Sequence, residues 1–264
     1  MHTEQPGGPG TNQYRQRPGR RPAQPTIQVH LAVPLDDSEI LCALAASPNS
    51  PPPLLRQISR ITTFNSSHVL KIRLALNPAC PPTILRQLAA DPEYQIRDAV
   101  VGNPHCPPSL LQQTHQRNPT HDHSIAKNPA CPPRLLTQLA ISPDPNVQIA
   151  VAQHPRCPAH ILGWLASETA TGTAYIQTPH GNLEEQAAVG DIALAHPACP
   201  PAVLTRYSGH TDSHTRTIVA ANPSSPPGTL ERLLQDTFPS VYEAAAANPS
   251  LPRHVLAMWQ LARG

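Results

Sequence analysis

Asn77-Pro78-Ala79-Cys80-Pro81-Pro82-Thr83-Ile84-Leu85-Arg86-Gln87-Leu88-Ala89 is written, with variations, eight times along this chain. The copies begin at Ser47, Asn77, Asn103, Asn128, His154, His196, Asn222 and Asn248, with spacings of 30, 26, 25, 26, 42, 26 and 26 residues. A fixed period in this range marks a stacked solenoid, in which each layer buries its apolar face only against its neighbours. The repeat accounts for most of the 35 prolines and for five of the six cysteines.

With Asn77 as frame position 1, positions 8, 9 and 12 are mostly apolar. Position 9 is always leucine: Leu55, Leu85, Leu111, Leu136, Leu162, Leu204, Leu230 and Leu256. Apolar residues at i, i+1 and i+4 predict one face of a short helix. Proline at position 5 suits a first helical turn, where a missing N–H costs nothing. Position 4 is then the expected N-cap, filled by Ser50 and Ser225 or by Cys80, Cys106, Cys131, Cys157 and Cys199. A second helix is expected before each Asn-Pro, as in Val147–Gln153 and Val241–Ala247. The residue before a proline is pushed out of helical geometry, so each Asn ends that helix, and its side chain can bond local backbone. Leu70-Lys71-Ile72-Arg73-Leu74 alternates like a strand, but its register with the other copies predicts helix. Ser38–Ala46 aligns with the second helix alone, so the array opens with a half-repeat. It closes with the apolar run Val255–Leu261.

The pattern Asn-Pro-x-x-Pro-Pro-x-Leu-Leu-x-x-Leu-Ala, followed by Val-x-x-Ala-Val-Ala-x-Asn-Pro, resembles the variant leucine-rich repeat family over about residues 36–263. The resemblance implies an all-α, right-handed solenoid of short helix pairs, α alternating with 3₁₀, in about eight layers and related to HEAT-like solenoids. One branch of the family carries an iron–sulfur cluster on a Cys-rich N-terminal segment. Residues 1–41 contain no Cys, so that activity does not carry over.

The domain reading is a basic Pro/Gly-rich tail over residues 1–35, expected to be disordered, followed by the repeat array over 36–264. Residues 1–30 hold Arg15, Arg17, Arg20 and Arg21 against Glu4, with almost no apolar side chains to offset ordering entropy. The tail is either a solvated extension or an arm for nucleic acid or an acidic partner. Residues 31–264 hold 15 basic and 16 acidic residues, a net charge of −1, which argues against a uniformly basic surface. No apolar run reaches membrane-spanning length. The start of the chain lacks the apolar core of a secretory signal, and six cysteines then point to reduced thiols in a cytoplasm.

Equivalent cysteines sit one layer apart, too far to share a metal or a disulfide, so no metal or other cofactor is expected from them. A thiolate activated by a helix N-terminus is the functional alternative to a buried cap. His121-Asp122-His123 and His210-Thr211-Asp212-Ser213-His214 are histidine-rich, but residues two apart on a helix diverge. They are expected to be surface groups rather than metal ligands. No catalytic motif is found, and no enzyme is expected.

Departures from the pattern carry the binding expectations. The layer beginning at His154 holds about 16 extra residues near Glu168–Leu183, and insertions of this kind map to loops on one face. Tyr175 and His180 lie in it, and Trp164 stands nearby at frame position 11. That row reads Gln57, Gln87, Gln113, Gln138, Trp164, Arg206, Arg232 and Met258. A second row, six places before each Asn-Pro, reads Leu41, Lys71, Arg97, Asp122, Gln148, Gly190, Arg216 and Tyr242. The expected function is a non-enzymatic module that recognises a protein or peptide along the solenoid face. Its candidate contacts are Trp164, Tyr175, His180, Arg206, Arg232, Arg97, Arg216 and Tyr242. The alternative is a nucleic-acid-binding solenoid using the Arg15–Arg21 arm and the arginine rows. The apolar terminal helix also allows a homodimer.

Overall fold

The computed structural model describes residues 38–61, 68–167, 173–176 and 185–263, all within one compact unit that spans residues 33–264. The tail over residues 1–35, with Arg15, Arg17, Arg20 and Arg21, lies outside the described residues. Sixteen α-helices fall into two interleaved series. The second helices of successive layers are α1 (Ser38–Ala46), α3 (His68–Leu76), α5 (Tyr94–Gly102), α7 (Asp122–Lys127), α9 (Pro145–Gln153), α11 (Val189–Ala195), α13 (Ser213–Ala221) and α15 (Pro239–Ala247). The first helices are α2 (Pro52–Ile61), α4 (Pro82–Leu88), α6 (Pro108–Arg117), α8 (Pro133–Ala140), α10 (Ala159–Leu165), α12 (Pro201–Tyr207), α14 (Pro227–Leu233) and α16 (Arg253–Leu261).

Each odd-numbered helix packs on the next, from α1 through to α15, and their alanines allow the close approach. Among the described first helices, only α8 and α10 pack closely on each other. The second helices are therefore the continuous spine, and the first helices stand farther apart, meeting through side chains such as Gln112 with Gln138 and Thr205 with Thr229. Leu70–Leu74 is helical within α3, as its register predicts. The half-repeat is α1, which packs on α3 as any second helix does.

Three local features differ from the sequence expectation. The first helices begin one residue late. Pro81 is extended at φ −60°, ψ 140° and serves as the N-cap, with Pro82 as the first helical residue. A following proline disfavours helical geometry at this position, but Pro158 and Pro252 are extended N-caps before Ala159 and Arg253 as well, so the boundary belongs to the turn as a whole. Position 4 is thus outside the helix, and its N–H closes a tight turn instead, as in Cys80 N–H to Asn77 O at 2.9 Å. Ser50 and Ser225 do not cap the following helix; their hydroxyls donate back to the carbonyls of Leu44 and Val219 in the preceding one. Second, both helices of each layer are α. The 3₁₀ bonding implied by the resemblance is confined to Pro119–His121 and to i→i+3 turns such as Asn77–Cys80. Third, a two-stranded antiparallel ribbon joins the insertion to the segment that follows it. β1 (Thr173–Ile176) pairs with β2 (Glu185–Ala188), Thr173 opposite Ala188, and β2 runs directly into α11.

The core is a file of leucines. Leu55, Leu85, Leu111, Leu136, Leu162, Leu204 and Leu230 are completely buried. Beside them runs an asparagine ladder. Asn103 donates from Nδ2 to Ala75 O at 2.6 Å and Asn77 O at 2.8 Å, both in the preceding layer, and accepts at Oδ1 from His105 N–H at 2.8 Å. Asn77, Asn128, Asn222 and Asn248 repeat this arrangement. His154 keeps the rung in another chemistry: Nε2 bonds Asn128 O at 3.0 Å while Nδ1 accepts from Arg156 N–H at 3.0 Å. His196 accepts from Ala198 N–H at 3.0 Å and bonds the His154 backbone. The ladder therefore crosses the long insertion without a missing rung.

Candidate binding face

The two variable rows have different fates. In the row six places before Asn-Pro, the long polar side chains turn inward onto the frame. Arg97 donates from Nη1 to Asp91 O at 2.8 Å and Pro92 O at 2.6 Å. Arg216 repeats this on His210 O and Thr211 O, and also forms a two-point bond with Asp236 in the next layer at 2.7 and 3.1 Å. The Arg216 hydrogen bonds hold the Asp236 carboxyl below the usual carboxylate range. Lys71 reaches Asp91 at 2.8 Å in the corresponding place, and Gln148 bonds Ser142 O at 2.9 Å. Tyr242 stands 5.9 Å from Trp259, with the Arg263 guanidinium 3.8 Å from the Tyr242 ring and 4.7 Å from the Trp259 ring. Trp259 Nε1 donates to Leu234 O at 3.0 Å. Arg97, Arg216 and Tyr242, expected as contact residues, are thus engaged as clamps and as the C-terminal cap. Their identities vary because any long polar group can reach the same loop carbonyls.

The row at frame position 11 behaves differently. Gln87, Gln113, Gln138, Trp164, Arg206 and Arg232 are exposed on the first helices. Trp164 retains 37% of its surface. Arg206 lies over the Tyr207 ring at 5.7 Å, and Arg232 touches Thr205 O at 3.2 Å. Tyr175 lies in β1, and His180 lies outside the described residues. The file of first helices carries Arg56, Arg60, Arg86, Arg117, Arg134, Arg206, Arg232 and Arg253, all exposed, against the single carboxylate Glu231. The second helices carry five basic and five acidic residues. Asp91, Glu93, Asp144, Asp212 and Asp236 sit in the loops that lead into them. A body with a net charge near zero therefore has one basic side. The sequence reading summed charge over the whole body; sorting it helix by helix was the available signal.

Residues 214–237 match the family described as leucine rich repeat variant. The repeat that holds these residues is thus similar to the leucine rich repeat variant. A solved structure described as a leucine-rich repeat variant with a novel repetitive protein structural motif is similar at TM-score 0.52 and 18% identity, over 82% of this chain and 84% of that one. A crystal structure of an engineered protein aligns at TM-score 0.33 and 15% identity, over 84% of this chain and 78% of its own. No curated protein matches the chain in sequence.

Within the repeats, the remaining candidates belong to the frame. The five turn cysteines are buried. Loss of solvation pushes Cys80, Cys106, Cys131 and Cys157 up to about 12 and Cys199 up to about 11. The activated-thiolate alternative fails, because the prolines displace each cysteine from the helix start and burial dominates. The histidine clusters disperse. His115 pairs with Asp122 at 2.8 Å, the buried His121 pairs with Asp98 at 3.2 Å and stacks on Tyr94, and His123 faces Asn146 O. Asp212 caps α13, accepting from Thr215 and His214 N–H, which lowers its pKa. Among the described residues, no three His, Cys, Asp or Glu side chains gather where they could hold one metal ion.

Proposed function

We propose that this chain is a non-enzymatic solenoid that binds a protein or peptide partner on the exposed side of its first helices. The observation that carries this reading is the sorting of charge between the two helix files. The cations Lys71, Arg97 and Arg216 of the second helices are tied to carboxylates and carbonyls of the frame. The first helices carry eight exposed arginines with one carboxylate among them, whereas the second helices carry equal numbers of basic and acidic residues. Arginine is enriched at interface hot spots, and Trp164 supplies an aromatic anchor in the same file. The test is capture from lysate of the native host on the full chain and on an R134E/R206E/R232E variant with unchanged circular dichroism. At least one protein should be retained by the native chain and lost from the variant; equal recovery would sink the reading.

The same arginines favour nucleic acid as a second reading, with Arg15, Arg17, Arg20 and Arg21 as an added arm. Binding would then weaken steeply with salt and weaken further on deletion of residues 1–30. Six unpaired thiols support a reducing, cytoplasmic setting. No described helix is long and apolar enough to cross a membrane. Met258 and Leu261, at 67% and 83% exposure on α16, support self-association through that helix, which sedimentation of the purified chain measures directly.

A further inference from the structure

A groove of about 760 Å³ lies at the turn edge of the opening layers. Its floor is made by the proline pairs Pro81–Pro82 and Pro107–Pro108, with the turn cysteines beneath, and its rim by Arg56, Arg86 and His105. No carboxylate lines it. Arg56, Arg86 and His105 are exposed, and none has a side-chain hydrogen bond or ion pair among the described residues. The prolines matter chemically. They carry no N–H, so the starts of α4 and α6 offer an anion fewer backbone donors and leave its recognition to the arginines.

We infer that this groove is a docking site for an acidic segment of a partner protein whose carboxylates alternate with apolar side chains. The inference rests on the protein-binding reading above and names the chemistry of the partner. The rim supplies guanidinium groups for carboxylates, and the floor supplies rings and methylenes for apolar side chains. Two other occupants fit less well. Single-stranded nucleic acid gains much of its affinity from stacking on large aromatic rings, and no Phe, Tyr or Trp lines the groove. The chain's own residues 1–30 carry a net charge of +3 by sequence and are repelled by the rim.

The test is fluorescence polarisation on the full chain with a labelled twelve-residue peptide that repeats Glu-Leu-Ser. Comparison probes repeat Lys-Leu-Ser or Glu-Ser-Ser, or are a twelve-nucleotide thymidylate strand. The Glu-Leu-Ser probe should bind at least about tenfold more tightly than each of the others. R56E/R86E should weaken it at least about tenfold, and R56A/R86A by less. Circular dichroism melts verify that each variant folds. Failure of the Glu-Leu-Ser probe to bind, or binding indifferent to R56E/R86E, overturns the groove assignment. So does equal binding of the Glu-Ser-Ser or thymidylate probe, which would make the site a general polyanion surface. The wider reading falls separately, by the lysate capture experiment on the R134E/R206E/R232E variant.

Discussion

At the scale of single residues, one side chain per layer does two jobs. Asn103 closes its own turn and bonds two carbonyls of the layer before it. Asn103→Ala strands those buried groups and should cost about 2–4 kcal/mol. Asn103→Asp keeps the acceptor but loses the donor and should be no milder. Asn103→His should be the mildest of the three, since His154 and His196 already form rungs. Urea midpoints rank them, and a neutral Asn103→Ala would contradict the ladder. The histidine rungs also set a pH dependence. Burial pushes the pKa of both His154 and His196 down, although backbone hydrogen bonds act the other way. In the unfolded chain they titrate near ~6.5. Their stabilising effect is therefore full above about pH 6.5 and is lost as pH falls from there toward the folded pKa values. Urea midpoints between pH 7.5 and 5.5 should fall more for the native chain than for H154N/H196N; parallel curves would refute this. The turn role of Asn was legible in the sequence. The ladder was not, because its acceptors are main-chain carbonyls about one period away, and a carbonyl leaves no mark on residue identity.

At the scale of elements, the helices were legible from leucine spacing and proline positions, including α3 despite its strand-like alternation. The late helix starts were not legible, because a proline fits an extended N-cap as well as a first helical turn, and Pro158 and Pro252 take the N-cap with no proline after them. The bonds that Arg97 and Arg216 make to the frame were not legible, because a variable row looks the same whether its side chains reach outward or back onto loop carbonyls. The insertion tests how independent the elements are. His196 bonds the backbone of His154 across it, and α9 packs on α11 as it does on α7. Deleting residues 168–183 returns that layer to the common period and should shift Tm by less than about 4 °C. Loss of cooperative melting would mean that the insertion is part of the frame.

At the scale of the whole molecule, stability is shared between neighbours. Leu111 is completely buried at the centre of its layer. Leu111→Asp should abolish amide-exchange protection in α5 to α8 while α13 and α15 keep theirs. Uniform loss across the array would instead indicate a single cooperative core. The layered architecture was legible from the period alone. The basic side was not, because charge summed along a chain cancels what two interleaved helix files keep apart.

The ladder has a consequence for how such a chain can change length. Each rung reads only peptide groups, and every layer presents the same peptide groups at its edge. A duplicated stretch of coding sequence running from one Asn codon to the next therefore supplies a new storey whose rung finds its partners whatever its side chains are. Copy number can drift while the join stays sound, and each added storey brings one more first helix free to diverge.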